Sequence, residues 1–413
     1  MVKRYTDLWF DICVLPEEAR RECKDFLEVA DERDFQRSLN ALKGVECDDR
    51  SKVLLRALIY NGSGMLREAV GMLEDYGEEN DLYCTYNLLR LYNALGERKK
   101  VLECFERLSG VEKDRKMELF IENERGKLFS NESSFGEALD KFTRVIEGGV
   151  ELADLYLEGM GYNNAGTVYL NIGNYEHAKR CFERSLELDT KLGDERGITI
   201  DRLNIGDVFK RLGLWREAER SLMEAVELSR SLDPYNNAGI VGECFINLGE
   251  IALLETDSDK AEGRFREVIG FVEPFNDLEL IARGNLGLAA IMINRRDFRE
   301  AEDFLEAAFE ASREIKSRKY EAEVYALRGS LMEKRGKLYG ALQNHGLASM
   351  IFRNINDRYN AAAASEAAGR VYLALGDNEK ALEHLKRARE DYVAISYYDL
   401  RSIDELIRKA SQS

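Results

Sequence analysis

Proline is nearly missing from this chain. Three occur in 413 residues, Pro16, Pro234 and Pro274. Proline interrupts helices and punctuates loops, so its scarcity argues against a loop-rich fold and for helix throughout. Histidine is equally scarce. His177, His345 and His384 stand far apart, with no cluster at ligand spacing, and no zinc site is implied. The 7 cysteines are odd in number and form no Cys-x-x-Cys pair. A disulfide framework is therefore not expected, and the thiols read as reduced packing residues. Long apolar runs are missing too. The longest nearly apolar stretch, Leu286 to Ile293, is far too short to cross a membrane. In the opening segment MVKRYTDLWF, Lys3 and Arg4 lead at once into Thr6 and Asp7, so no signal-peptide core follows. The expectation is a soluble cytoplasmic protein.

The charge is lopsided. A net charge of −17 repels nucleic acid phosphates and anionic lipid headgroups, so neither a nucleic acid nor a membrane is expected as partner. With 45% hydrophobic and 33% charged residues the chain has enough apolar material to fold and a well-solvated surface. Catalytic patterns are lacking. The nearest approach to a phosphate loop, GSLMEKRGK from Gly329, has the wrong spacing, and Leu338 stands where Ser or Thr is required. No cofactor, metal or catalytic residue is implied, and the chain reads as a non-enzyme. Carboxylates such as Asp257 and Asp259 read as solvated charges in inter-helix turns.

What the sequence does contain is a repeat. Alanines recur at Ala138, Ala178, Ala218, Ala261, Ala301, Ala341 and Ala381. Other columns repeat with them. Phe142, Phe182, Leu222, Phe265, Leu305, His345 and Leu385 stand four residues after each alanine. Gly126, Gly166, Gly206, Gly249, Gly329 and Gly369 stand twelve before. Internal periods of this length mark arrays of one supersecondary unit. A glycine inside a helix costs about 1 kcal/mol relative to alanine. Repeating it at one register therefore serves close approach of two helices, with a large residue on the facing helix filling the gap. A second glycine, at Gly173, Gly213, Gly336 and Gly376, suits the left-handed residue that ends a helix. One unit is ambiguous, because Ala289 holds the glycine column by spacing while Gly287 stands two residues earlier.

The units NNAGTVYLNIGNYEHAKRCFERSLEL from Asn163 and NIGDVFKRLGLWREAERSLMEAVEL from Asn204 resemble the tetratricopeptide repeat family. Its small positions match Gly166, Ala178 and Ser185, and its aromatic positions Tyr169, Tyr175 and Phe182. The resemblance implies an all-α, right-handed superhelical solenoid of about ten helix–turn–helix repeats. The 40-residue pitch is similar to the long-repeat arrays of MalT-type regulators, Rap regulators and the scaffold LGN. The extra length is expected between the second helix of one unit and the first of the next, where LGDER from Leu192 and INDRY from Ile355 stand. Three boundaries follow: shorter-pitch units over 1–110, seven long repeats over 111–391, and a capping helix and tail over 392–413. Phe26 to Leu42 is a candidate first unit, with Pro16 opening its helix. Gly148-Gly149 is the candidate bend.

One register exceeds packing needs. Asn164, Asn204 and Asn247 stand two residues before the column glycine, and Asn285 joins them only if Gly287 sets its unit's register. In the resembling family this position faces a concave groove, and such asparagines grip the backbone of an extended peptide. An amide offers both donor and acceptor for that task. Asn163, Thr167, Asn171, Leu203, Asp207, Lys210, Arg211, Glu243, Ile246 and Glu250 would complete the groove. The competing reading is that the amides only bond neighbouring helices. The expected function is a scaffold that holds an extended or helical segment of a partner protein. The alternatives are a Rap-like regulator of a signalling protein's phosphorylation and an architectural subunit. Oligomeric state is left open.

Overall fold

The computed structural model describes residues 39, 42, 48–62, 65–76, 81–231, 234–395 and 400–412. Pro16 and most of the candidate first unit lie outside them. Among the described residues all regular structure is helical. The helices fall into two compact units, residues 1–244 and 245–413.

The first unit carries α1 (Asp49–Gly62), α2 (Leu66–Tyr76), α3 (Leu82–Leu95), α4 (Arg98–Ser109), α5 (Arg115–Asn131), α6 (Phe135–Glu151), α7 (Leu155–Asn171), α8 (Tyr175–Leu192), α9 (Glu195–Arg211) and α10 (Trp215–Ser231). Odd-numbered helices are the first of each pair and even-numbered ones the second. Helix α11 (Pro234–Leu254) runs from this unit into the next. The second unit continues with α12 (Ser258–Val272), α13 (Leu278–Arg295), α14 (Phe298–Glu314), α15 (Arg318–Lys334), α16 (Leu338–Asn354), α17 (Arg358–Leu375), α18 (Asn378–Ala394) and α19 (Arg401–Gln412).

The repeating columns are the contact between paired helices. All seven column alanines are fully buried. A Cβ added at Gly126 would stand 2.5 Å from the Phe142 ring, at Gly166 2.7 Å from Phe182, and at Gly206 2.7 Å from Leu222. Gly249 meets Phe265, Gly329 meets His345, and Gly369 meets Leu385 in the same way. The glycine is therefore the seat for the large side chain of its own partner helix.

The same rule settles the ambiguous unit. Gly126, Gly166, Gly206, Gly329 and Gly369 each lie eleven residues after the first residue of their helix, and in α13 that position is Ala289. Gly287 instead touches Phe265, the large residue of the preceding pair. No residues are inserted, and Asn285 falls outside the asparagine register.

Two expectations about connections are corrected. The extra length of the 40-residue unit lies in the helices, not in a loop. Helix α8 runs to Leu192 and α9 starts at Glu195, leaving Gly193 and Asp194 between them. The carboxylates in these short turns are mostly caps. Asp114, Asp154 and Asp194 accept hydrogen bonds from the backbone N–H groups of Met117 (2.7 Å), Leu157 (3.1 Å) and Gly197 (3.0 Å). Asp257 does the same for Lys260 N at 3.0 Å. Each satisfies a donor that the first turn of a helix leaves open. Gly148-Gly149, the candidate bend, does not interrupt its helix. Both are buried inside α6, where they let the side chain of Leu119 and the backbone of Glu158 approach.

Gly173, Gly213, Gly336 and Gly376 adopt φ near +75°, the left-handed C′ conformation. Other turns use ordinary residues there, and Thr256 sits at φ 64°. A β-branched side chain is strained in that region by about 1–2 kcal/mol. Thr256→Gly should therefore stabilise the second unit by roughly 1 kcal/mol. A thermal melt that shows no gain would refute this.

Cys84, Cys104, Cys181 and Cys244 are free thiols, and all but Cys181 are buried. Burial pushes the Cys104 and Cys181 thiols up to about 11, away from reactive thiolate. The second unit ends on α19, whose Ile403 and Ala410 are buried against α18 and whose Asp404 accepts from Arg389 at 2.6 Å. Arg401, Glu405, Arg408 and Lys409 on its other face are exposed.

Candidate functional site on the face of the first helices

In the first unit, consecutive first helices approach one another at backbone contact. Helix α5 touches α3 and α7, and α7 touches α9, while consecutive second helices approach less closely. The first helices therefore form the inner layer of this unit. Of the residues expected in the groove, Thr167, Asn171 and Arg211 are exposed here, and Asn163, Asn164, Leu203, Asn204, Asp207 and Lys210 are half-buried.

The asparagines do two different things. Asn164 Nδ2 donates to Asn123 Oδ1 on α5 at 2.7 Å. Asn163 Nδ2 donates to Asp201 Oδ1 on α9 at 2.7 Å. On α3, Asn93 Nδ2 donates to the backbone oxygen of Glu124 at 2.9 Å and to Glu124 Oε2 at 3.0 Å. A polar seam of side-chain hydrogen bonds thus runs through α3, α5, α7 and α9. Burial would raise the Glu124 carboxyl, but Lys127, Arg90 and Asn93 outweigh it and hold it below its ordinary range. Asn204 has no side-chain hydrogen-bond partner among the described residues. Its amide stays available on the inner layer.

Charges on this face are already balanced. Asp207 is 3.1 Å from both Lys210 and Arg211 on its own helix. Thr167 Oγ1 donates to Asn163 O at 3.2 Å. Further along the chain, Asn247 and Ile246 are buried, while Glu243 and Glu250 are half-buried. Asn285 is buried, with Nδ2 donating to Ile281 O at 2.8 Å. Burial takes Asn247 and Asn285 out of the exposed face.

The sequence reading missed Asn123, Glu124, Asn93 and Asp201. One signal was present: Asn123 stands forty residues before Asn163, at the same register.

Residues 157–231, which span α7 to α10, match the family model described as Tetratricopeptide repeat. These are tetratricopeptide repeats. No curated protein matches the chain. Solved structures of other repeat proteins do resemble it. A Rap protein complexed with Competence and Sporulation Factor aligns with a TM-score of 0.60 at 15% identity, over 83% of this chain and 97% of its own. The apo form of the quorum sensor NprR from B. thuringiensis aligns with a TM-score of 0.58 at 14% identity, over 83% and 98%. The Rap conjugation gene regulator of plasmid pLS20, in complex with the Phr* peptide, gives 0.55 at 12% identity, over 81% and 96%. At such identities the likeness is one of fold. Beyond residue 231, Gly249, Gly329 and Gly369 form the same glycine-to-large-residue seats.

Proposed function

We propose that this chain is a protein-interaction scaffold that holds an extended or helical segment of a partner on the inner layer of its first helices. The observation that carries the reading is the half-buried Asn204 amide, unengaged beside the exposed Thr167, Asn171 and Arg211. An amide with no internal partner loses nothing by meeting a peptide unit, whereas Asn163 and Asn164 must keep their bonds to α9 and α5. Asn163 and Asn164 then shape the floor, and Asn204, Thr167, Asn171, Asp207, Lys210 and Arg211 make the contacts. Rap and NprR proteins of this fold, two of them solved with a bound factor or peptide, support a peptide-like partner.

The test begins with capture and identification of the partner and its binding segment. Affinity for a synthetic copy of that segment is then compared between wild type and the triple variant Thr167→Ala, Asn171→Ala, Asn204→Ala. Each neutral hydrogen bond contributes about 0.5–1.5 kcal/mol, so the triple loss should weaken binding by roughly tenfold to a thousandfold. Helicity should be unchanged, because alanine is the better helix former. Unaltered affinity in an equally helical variant would move the site elsewhere.

A further inference from the structure

The acid pair at the junction of α8 and α9, Asp201 buried and Asp189 half-buried, meets the proposed binding face only through Asn163. Asp201 on α9 is fully buried. Its Oδ1 accepts from Asn163 Nδ2 at 2.7 Å, and no donor reaches Oδ2 among the described residues. Asp189, in the last turn of α8, sets its carboxyl against Gly197, which stands one helical turn before Asp201 on α9, so the two acids meet at this junction and act on each other's charge. Two neighbouring carboxylates repel, and a single proton held between them would remove that repulsion and supply the donor that Oδ2 lacks.

Asp189 has nowhere to retreat. A Cβ at Gly197 would stand 2.1 Å from its Oδ2, and one at Gly159 3.3 Å from its Oδ1. The carboxyl lies between glycines of α9 and α7; a side chain at Gly197 would collide with it, and one at Gly159 would crowd it. Ser185 Oγ lies 3.2 Å from Gly159 O and also beside Asp201, with one proton for two acceptors.

Among the described residues no cation is paired with either acid. Asp194, the nearest further charge, caps α9 at Gly197 N and adds repulsion. Arg184 of α8 is taken by Glu158 of α7 at 2.9 Å and by Glu187 at 2.7 Å. Lys191 is taken by Glu187 at 2.7 Å, and Arg202 by Glu224 of α10 at 2.8 Å.

We propose that Asp189 and Asp201 share one proton at neutral pH and that this proton locks the junction between two successive repeats, so that its loss in mild alkali opens the contact of α8 with α9. The inference is independent of partner binding and is tested without a partner. Burial, then the Asp201 and Asp194 charges, raise Asp189 above the ordinary carboxylate range. Burial raises Asp201 too, against the opposing bonds from Asn163 and Ser185. The folded pair therefore holds a proton that the unfolded chain has given up. Its stability contribution is complete below the ordinary carboxylate range and is lost as pH rises through the raised value, opposite to an aspartate whose pKa is lowered by a paired cation.

The experiment is hydrogen exchange of the full chain at about pH 6 and about pH 9, corrected for the intrinsic rate. In wild type, protection over Leu186–Ile205 should fall about tenfold or more, while α5 and α6 stay within a few-fold. Asp189→Asn, which keeps a neutral hydrogen-bonding partner, should hold its protection at both values. Asp201→Asn serves as a second variant should the first misfold. Wild-type protection that does not fall, or a fall of equal size in a folded variant, overturns the proposal.

Discussion

Phe182→Ala should destabilise the first unit by about 3–5 kcal/mol and split its unfolding into two steps. The Phe182 side chain is fully buried and packs with Ala178, Ile205 and Val208, while its ring fills the seat of Gly166. It therefore joins three helices, α7, α8 and α9. Removing an aromatic ring from such a site loses its transfer energy and leaves a cavity that flanking helices close only in part. In a repeat array each unit is supported only by its neighbours, so a weakened middle pair uncouples the two sides. Calorimetry should show an early transition absent from wild type. A single transition displaced by less than that cost would mean the seat contributes little.

His345→Leu should do the reverse and stabilise the second unit by about 1–3 kcal/mol. His345 occupies the large-residue column held elsewhere by Phe142, Phe182, Leu222, Phe265, Leu305 and Leu385. It is 2% exposed, and neither ring nitrogen has a hydrogen-bond partner among the described residues. The nearest carboxylate oxygen, Glu333 Oε2, is 3.7 Å from Nε2, too far for a normal hydrogen bond. Burying an unsatisfied polar group costs about 1–3 kcal/mol, and leucine already fills the same seat over Gly206 and Gly369. A lower melting temperature for the leucine variant would show that the ring has a partner the described contacts do not supply.

These two positions also show what the sequence could and could not tell. The columns were legible because steric seats repeat. A glycine that must admit a phenylalanine ring leaves the same mark in every unit, and so does the alanine beneath it. The pairing and the helical class followed from those marks. Connections were less legible. LGDER looks like a loop by composition, yet Leu192 ends one helix and Glu195 begins the next, because a single glycine and a capping aspartate suffice to turn the chain. Gly148-Gly149 looks like a break, but two buried glycines admit neighbouring helices equally well.

The face of the first helices was legible in part. The asparagine register pointed to the first helices, and Asn164 lies on α7 and Asn204 on α9. It gave no sign that Asn164 is bound to Asn123 and Asn163 to Asp201. Such bonds join residues about forty apart, and their direction depends on how far one helix is rotated against the next, which no single column records. For the same reason the Asp189–Asp201 pair was invisible. Asp189 looks like one more helix-end carboxylate until α9 folds back on it.

The most direct measurement of the proposed scaffold role is a covalent footprint of the partner-bound chain against the free one. Diffusing carbene labelling reads each exposed side chain before and after binding. Protection is expected at Thr167, Asn171, Asn204 and Arg211 on α7 and α9, with exposed positions of the second helices, such as Glu183 on α8 and Arg220 on α10, labelled as before. Protection confined to the second helices, with Thr167 and Asn171 still labelled, would contradict binding on the inner layer.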